Sequence, residues 1–193
     1  MVHHKNSFKS ADGIHDISYE VILPDGDAKG IVQISHGMCE YFGRYNDFGK
    51  YMASHGYIVC GNDHLGHGES VRNDDELGYF SPENGWKNVV SDLFTLTEIM
   101  KKTYPDLPYY LFGHSMGSFM ARAYCVMHGE VLDVDDSRGV HCCASACAMN
   151  AFCSSCERLT NLLFQPQTRT WTSSYFSGSS CAFLRSSAFR MLN

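Results

Sequence analysis

Leu111-Phe112-Gly113-His114-Ser115-Met116-Gly117 places a serine between two glycines directly after an apolar run. A serine hydroxyl is a weak nucleophile until the backbone presents it and nearby donors hold the negative charge that its attack on a carbonyl creates. The G-x-S-x-G spacing supplies that presentation where a buried strand bends sharply into a helix. The serine then takes a strained backbone conformation and projects its hydroxyl above the sheet edge. Glycine is expected on both sides because any side chain at 113 or 117 would collide with the neighbouring strand and helix. A second candidate is His36-Gly37-Met38, which follows the apolar run Gly30 to Ser35. A backbone N–H freed at that turn can serve as half of an oxyanion hole, although an ordinary strand-ending His-Gly turn has the same residues. The third is Asp63-His64-Leu65-Gly66-His67-Gly68-Glu69-Ser70. Two histidines and an aspartate suit a metal, but with no third partner nearby a tight surface loop held by side-chain to backbone hydrogen bonds is the preferred reading.

These residues need elements to position them. Ile17 to Leu23 and Gly30 to Ser35 read as strands, separated by Pro24-Asp25-Gly26-Asp27 turn chemistry. Tyr45, Phe48, Tyr51 and Met52 recur at helical spacing up to His55, and Gly56 stands where a helix stop is expected. Tyr57 to Cys60 is a short strand, so strand, helix and strand follow one another with room for a parallel crossover. From Asn84 to Tyr104 the residues Trp86, Val89, Val90, Leu93, Leu96, Ile99 and Met100 define one apolar helical face. Asp92, Glu98, Lys101 and Lys102 are assigned to a charged outer face. Tyr109 to Phe112 is a strand and Ser118 to His128 a helix. Alternation of β and α over residues 15 to 128 predicts an α/β fold, with a mostly parallel sheet and helices on both faces.

At 193 residues the chain fits one globular domain. It has no apolar run of membrane-span length, and Met1-Val2-His3-His4-Lys5-Asn6 is unlike a signal peptide, so a cytoplasmic location is expected. A formal charge of −6 argues against a nucleic-acid surface. The composition breaks near residue 130. Residues 1–130 hold 17 acidic and 10 basic residues, whereas 131–193 hold 4 and 5. All seven lysines lie at or before Lys102, and six of nine cysteines (Cys142, Cys143, Cys147, Cys153, Cys156 and Cys181) fall in the last third beside eleven serines.

Ser35-His36-Gly37-Met38, Phe42-Gly43-Arg44-Tyr45, the Asp63 to Ser70 stretch, Tyr104-Pro105 and Gly113-His114-Ser115-Met116-Gly117 together resemble the monoacylglycerol lipase and lysophospholipase group of the α/β-hydrolase superfamily, S33-like serine aminopeptidases. The likeness covers roughly the first two thirds of the chain. It implies a serine ester hydrolase with Ser115 as nucleophile and the backbone N–H groups of Met38 and Met116 as oxyanion donors. It further implies a lipid-ester substrate, contact with a membrane or micelle through a helical cap, and chemistry with no metal and no cofactor. The residues do not speak to oligomeric state.

The departure lies downstream. The fold takes its triad in the order serine, acid, histidine. After Ser115 the chain has only His128 and His141. His128 is thirteen residues along the elbow helix, about 20 Å away at roughly 1.5 Å per residue, and cannot reach. His141, with Asp133, Asp135 or Asp136 as its partner, is the remaining candidate. Loss of the base costs a serine hydrolase about a millionfold in turnover. The expectation is therefore an N-terminal hydrolase part over residues 1–130, truncated and inactive, followed by a Cys/Ser-rich tail over 131–193. That tail reads as out-of-frame translation or a defective gene copy, replacing the sixth strand, the cap and the late triad loops. Its cysteines read as reduced thiols before zinc ligands. Gly139 to Met149 is a strand candidate, and Leu159 to Phe164 and Ala182 to Leu192 are short-helix candidates. Two alternatives stand: an active esterase or peptidase of the same fold using His141, and a non-catalytic binder of lipids or acyl esters.

Overall fold

The computed structural model describes residues 1–131. Asp136, His141, the six late cysteines and the late strand and helix candidates lie outside the described residues. The strands are β1 (Val2–Lys9), β2 (Asp16–Leu23), β3 (Gly30–Ser35), β4 (Tyr57–Asn62) and β5 (Tyr109–Gly113). The helices are α1 (Asn46–Ser54), α2 (Gly85–Thr103) and α3 (Met116–His128), with short 3-10 turns at Phe42–Tyr45, Asp74–Glu76 and Gly129–Val131. No helix among the described residues is long and apolar enough to cross a membrane.

The sheet order is β1-β2-β4-β3-β5. Its β1–β2 and β2–β4 pairs are antiparallel, whereas β4–β3 and β3–β5 are parallel. Parallel strands joined by helical crossovers are covered on both faces, and all six residues of β3 are buried accordingly. Alternate side chains go to opposite faces. Ile31, Ile58, Tyr109 and Leu111 join Val89, Leu93, Leu96 and Tyr124 in one apolar cluster under α2 and α3. On the other face α1 approaches so closely that a Cβ at Gly49 would stand 2.6 Å from Ile22 Cδ1. Each such large apolar side chain contributes about 1.5–3 kcal/mol when fully buried. In the middle of this core Gln33 is fully buried but satisfied. Its Nε2 donates to Leu93 O at 2.9 Å, and its Oε1 accepts from Thr97 Oγ1 and the Tyr109 hydroxyl.

One strand is not announced by the sequence pattern, and two assignments on α2 are corrected. β1 carries no apolar alternation and is almost wholly exposed. It exists because its backbone pairs residue for residue with β2, from Val2 opposite Leu23 to Lys9 opposite Asp16. Trp86, assigned to the apolar face of α2, is 47% exposed in the first helical turn. Asp92, assigned to the outer face, is fully buried. Its Oδ2 accepts from Ser10 Oγ at 2.8 Å and its Oδ1 from the Ala11 N–H at 2.7 Å, so α2 grips the β1–β2 turn. Burial pushes the Asp92 carboxyl up to about 6, against the pull of those two hydrogen bonds.

Register decides what the sheet delivers. Ser35 at the end of β3 is paired with Gly113 at the end of β5. Both candidate stretches therefore leave the sheet side by side at its carboxyl edge, where open α/β sheets place their ligands.

Candidate active site

Ser115 sits between β5 and α3 with φ 52° and ψ −119°. A non-glycine residue at positive φ stores roughly 1–3 kcal/mol of strain and persists only where its surroundings over-determine it. Here the surroundings are backbone. A Cβ at Gly117 would lie 2.0 Å from Ser35 O and 2.5 Å from His36 O, and one at Gly113 would lie 2.6 Å from Gly117 O. The His114 N–H donates to Ser35 O at 3.0 Å, which ties the corner to β3, and the Gly117 N–H donates to His114 O at 2.8 Å. Ser118 donates to Ser115 O through both its N–H and its Oγ. Ser115 itself is exposed. Met116 is the first residue of α3, so its N–H has no acceptor within the helix and lies at the positive end of the helix dipole.

The turn after β3 packs directly on this corner. A Cβ at Gly37 would stand 3.3 Å from Ser115 Cβ and 3.2 Å from His114 Nδ1. Glu40 holds the turn by accepting from the Gly37 N–H at 3.0 Å. The same carboxylate oxygen accepts from the Tyr45 hydroxyl at 2.7 Å and lies 3.2 Å from His114 Nδ1. His114 Nδ1 is also 3.0 Å from the Tyr45 hydroxyl oxygen. Burial alone would raise the Glu40 carboxyl, but hydrogen bonds from His114 and Tyr45 outweigh it and hold the group down to about 2. Tyr45 is pushed well above the ordinary phenol range by burial and by the Glu40 charge. Sequence reasoning missed this Glu40, Tyr45 and His114 cluster. Glu40 and Tyr45 are close in the chain, but His114 lies 74 residues from Glu40, and no local pattern announces the pairing.

Beneath the turn lies a layer of buried histidines. The His36 and His64 rings are 4.0 Å apart by centroid, and His67 is 5.4 Å from His36. Burial holds all three below the ordinary imidazole range, with His36 at about 3. The Asp63 to Ser70 stretch is a loop held by side-chain to backbone hydrogen bonds. Asp63 accepts from the Phe42 N–H at 2.7 Å and the Glu69 N–H at 2.8 Å. It is a buried loop rather than the surface loop expected, because Tyr79 folds over it: a Cβ at Gly66, φ 77°, would meet Tyr79 O at 2.1 Å.

The described imidazoles are engaged away from the Ser115 hydroxyl. His114 faces Glu40 and Tyr45, His36 and His64 face inward, and His128 ends α3 stacked on Phe94 at 4.0 Å. Among the described residues no imidazole is hydrogen-bonded to Ser115 Oγ. The structure thus brings Ser115, Met116 and the Gly37–Met38 turn together and keeps His128 apart.

The chain is similar to known proteins. A family model described as "Serine aminopeptidase, S33" matches residues 26–186. The monoacylglycerol lipase of Mycolicibacterium smegmatis is 35% identical over 120 residues, 62% of this chain and 40% of that protein. Human monoglyceride lipase is 34% identical over 98 residues, 51% of this chain and 30% of that protein. The chain spans less than half the length of these curated relatives. Among solved structures, a thermostable carboxyl esterase from Bacillus coagulans in complex with glycerol is 36% identical with a TM-score of 0.64, covering 68% of this chain and 42% of that one.

Proposed function

The chain belongs to the serine aminopeptidase S33 family, with the α/β-hydrolase fold, and from that membership we propose that it carries the nucleophile-bearing part of a serine hydrolase of lipid esters. Ser115 Oγ attacks the ester carbonyl. The oxyanion that forms is held by the N–H groups of Met38 and Met116. The single observation that supports this reading is the exposed serine at φ 52°, packed against the Gly37 turn and opening a helix. Long-chain monoacylglycerols are the substrate class, by analogy with the relatives in M. smegmatis and human. Metal and cofactor have no part in the proposed chemistry, and the ester is met at a membrane or micelle surface.

We further propose that the chain as it stands does not turn over. Past Ser115 its only histidines are His128, which stacks on Phe94, and His141. Without a base, turnover falls about a millionfold, from on the order of ten per second to about one per day.

A fluorophosphonate probe tests both parts. Slow labelling that disappears in Ser115→Ala, with no release of fatty acid from a long-chain monoacylglycerol, is the expected result. No labelling at all removes Ser115 as nucleophile. Rapid labelling with turnover removes the inactivity and makes His141 the base to mutate next.

A further inference from the structure

Hydrogen bonds hold the His36 ring and the two peptides that flank Gly37. The Gly37 carbonyl lies 2.8 Å from His36 Nδ1. The other ring nitrogen, His36 Nε2, accepts from the His64 N–H at 2.9 Å. The Gly37 N–H, on the preceding peptide, donates to Glu40.

The tautomer follows from these partners. Nε2 must keep its lone pair to accept from a backbone N–H, so the proton of the neutral ring is on Nδ1 and is donated to Gly37 O. Burial keeps the ring neutral. A trans peptide is planar, with its C=O and N–H pointing in opposite directions. The carbonyl of the Gly37–Met38 peptide points at a fully buried imidazole, so the Met38 N–H of the same plane points away from the interior. A Cβ built at Gly37 would stand 3.3 Å from Ser115 Cβ, so this peptide borders the exposed serine.

We propose that His36 is a positioning residue, one that through the Gly37 carbonyl sets the plane of the Gly37–Met38 peptide and aims the Met38 N–H at the charge formed on the Ser115 adduct. This rests on the reading of Met38 as an oxyanion donor. The His64 backbone fixes the His36 tautomer, and Glu40 pins the peptide before it, so the plane is held from both sides. The Asp63 loop thereby acts on the site through His64 without touching substrate. Preorganised donors of this kind avoid reorganisation when charge appears, and losing one costs serine hydrolases about 100- to 1,000-fold.

An alkylboronic acid reads the donors without requiring turnover. A bond forms between Ser115 Oγ and trigonal boron, the hydroxyl proton leaves to water, and the tetrahedral boron carries the negative charge. In 15N-methionine-labelled protein the Met38 and Met116 amide protons are expected to shift downfield together on boronate addition, with no adduct in Ser115→Ala. In His36→Phe the adduct is expected to weaken by about 10-fold or more, with the Met38 shift lost and the Met116 shift kept. Equal affinity and an unchanged Met38 shift in that variant overturn the role of His36 and leave the reading of Ser115 intact. Absence of any Ser115-dependent adduct in the unsubstituted chain overturns both. If the variant does not fold, a long-range 1H–15N spectrum of the unsubstituted chain decides: Nδ1–H on His36 agrees, and Nε2–H overturns the inference.

Discussion

Glu40 and Asp92 are both carboxylates withdrawn from water, yet the protein drives them in opposite directions. Glu40, beside Ser115, is held down to about 2, whereas Asp92, under the β1–β2 turn, is pushed up to about 6. Burial raises both groups, so the difference lies in the partners. Glu40 gathers a backbone N–H, a phenol and an imidazole on one oxygen. Asp92 meets a serine hydroxyl and one backbone N–H. The first cluster is built to keep a charge next to the corner that presents the serine, and the second to clasp a hairpin turn to a helix.

That contrast can be broken in several ways. The largest effect is expected where the Glu40 side is anchored, at the contact between the elbow and β3. Gly117→Ala puts a Cβ 2.0 Å from Ser35 O, a clash with backbone that cannot be relieved by a rotamer. A loss of more than about 4 kcal/mol is expected, or no folded protein, as read by denaturant unfolding. A substitution with no measurable cost there would mean that the turn and the elbow are not one rigid unit.

Next comes Glu40→Leu, which strands the Gly37 N–H and the Tyr45 hydroxyl. A cost of about 3 kcal/mol is expected, together with loss of boronate binding. The pH dependence sharpens the reading. The Glu40 carboxyl is lower in the folded chain than its ordinary 4.5, so its contribution is present above about 4.5 and is lost as pH falls through about 2. The unsubstituted chain should therefore lose stability relative to the variant over that acid window.

Asp92 predicts the reverse. Its folded value lies above the ordinary 3.8, so its contribution is present below about 3.8 and is lost as pH rises through about 6. A shift of about two units corresponds to roughly 3 kcal/mol as an upper bound. Asp92→Asn should remove that part of the pH dependence, and its stability relative to the unsubstituted chain should improve by about 1–3 kcal/mol between pH 4 and 6.5. Unfolding curves at four or five pH values measure this. Parallel curves for the two proteins would show that Asp92 does not titrate in this range.

The smallest effect is expected for Glu40→Gln. The amide keeps an acceptor for the Gly37 N–H but gives up the charge, for a cost of about 1–2 kcal/mol. An effect as large as that of Glu40→Leu would place the weight on charge rather than on hydrogen bonding.

Local signals account for what could be read before folding. The elbow was legible because two glycines and a serine at fixed offsets, between an apolar run and a helix-compatible stretch, report a backbone geometry that is itself local. The strand and helix alternation was legible for the same reason, as periodicity of 2 or 3.6 lies within a single element. β1 was not, since VHHKNSFK half-buries only Phe8 and takes its form from its pairing with β2. Neither was the fate of Asp92, because a charged residue among apolar ones looks solvent-facing until a distant turn supplies its donors.

By itself, then, the order of residues determined that a serine would stand at a strand-to-helix corner in an α/β sheet, since those instructions are written in neighbouring side chains. Only the tertiary structure decided what surrounds it. Parallel pairing of β3 with β5 sets Ser35 beside Gly113 and brings residues 37, 40, 45 and 114 into one polar cluster. Contacts between residues some 70 positions apart depend on strand register, and register is settled by the packing of the whole sheet rather than by any one segment.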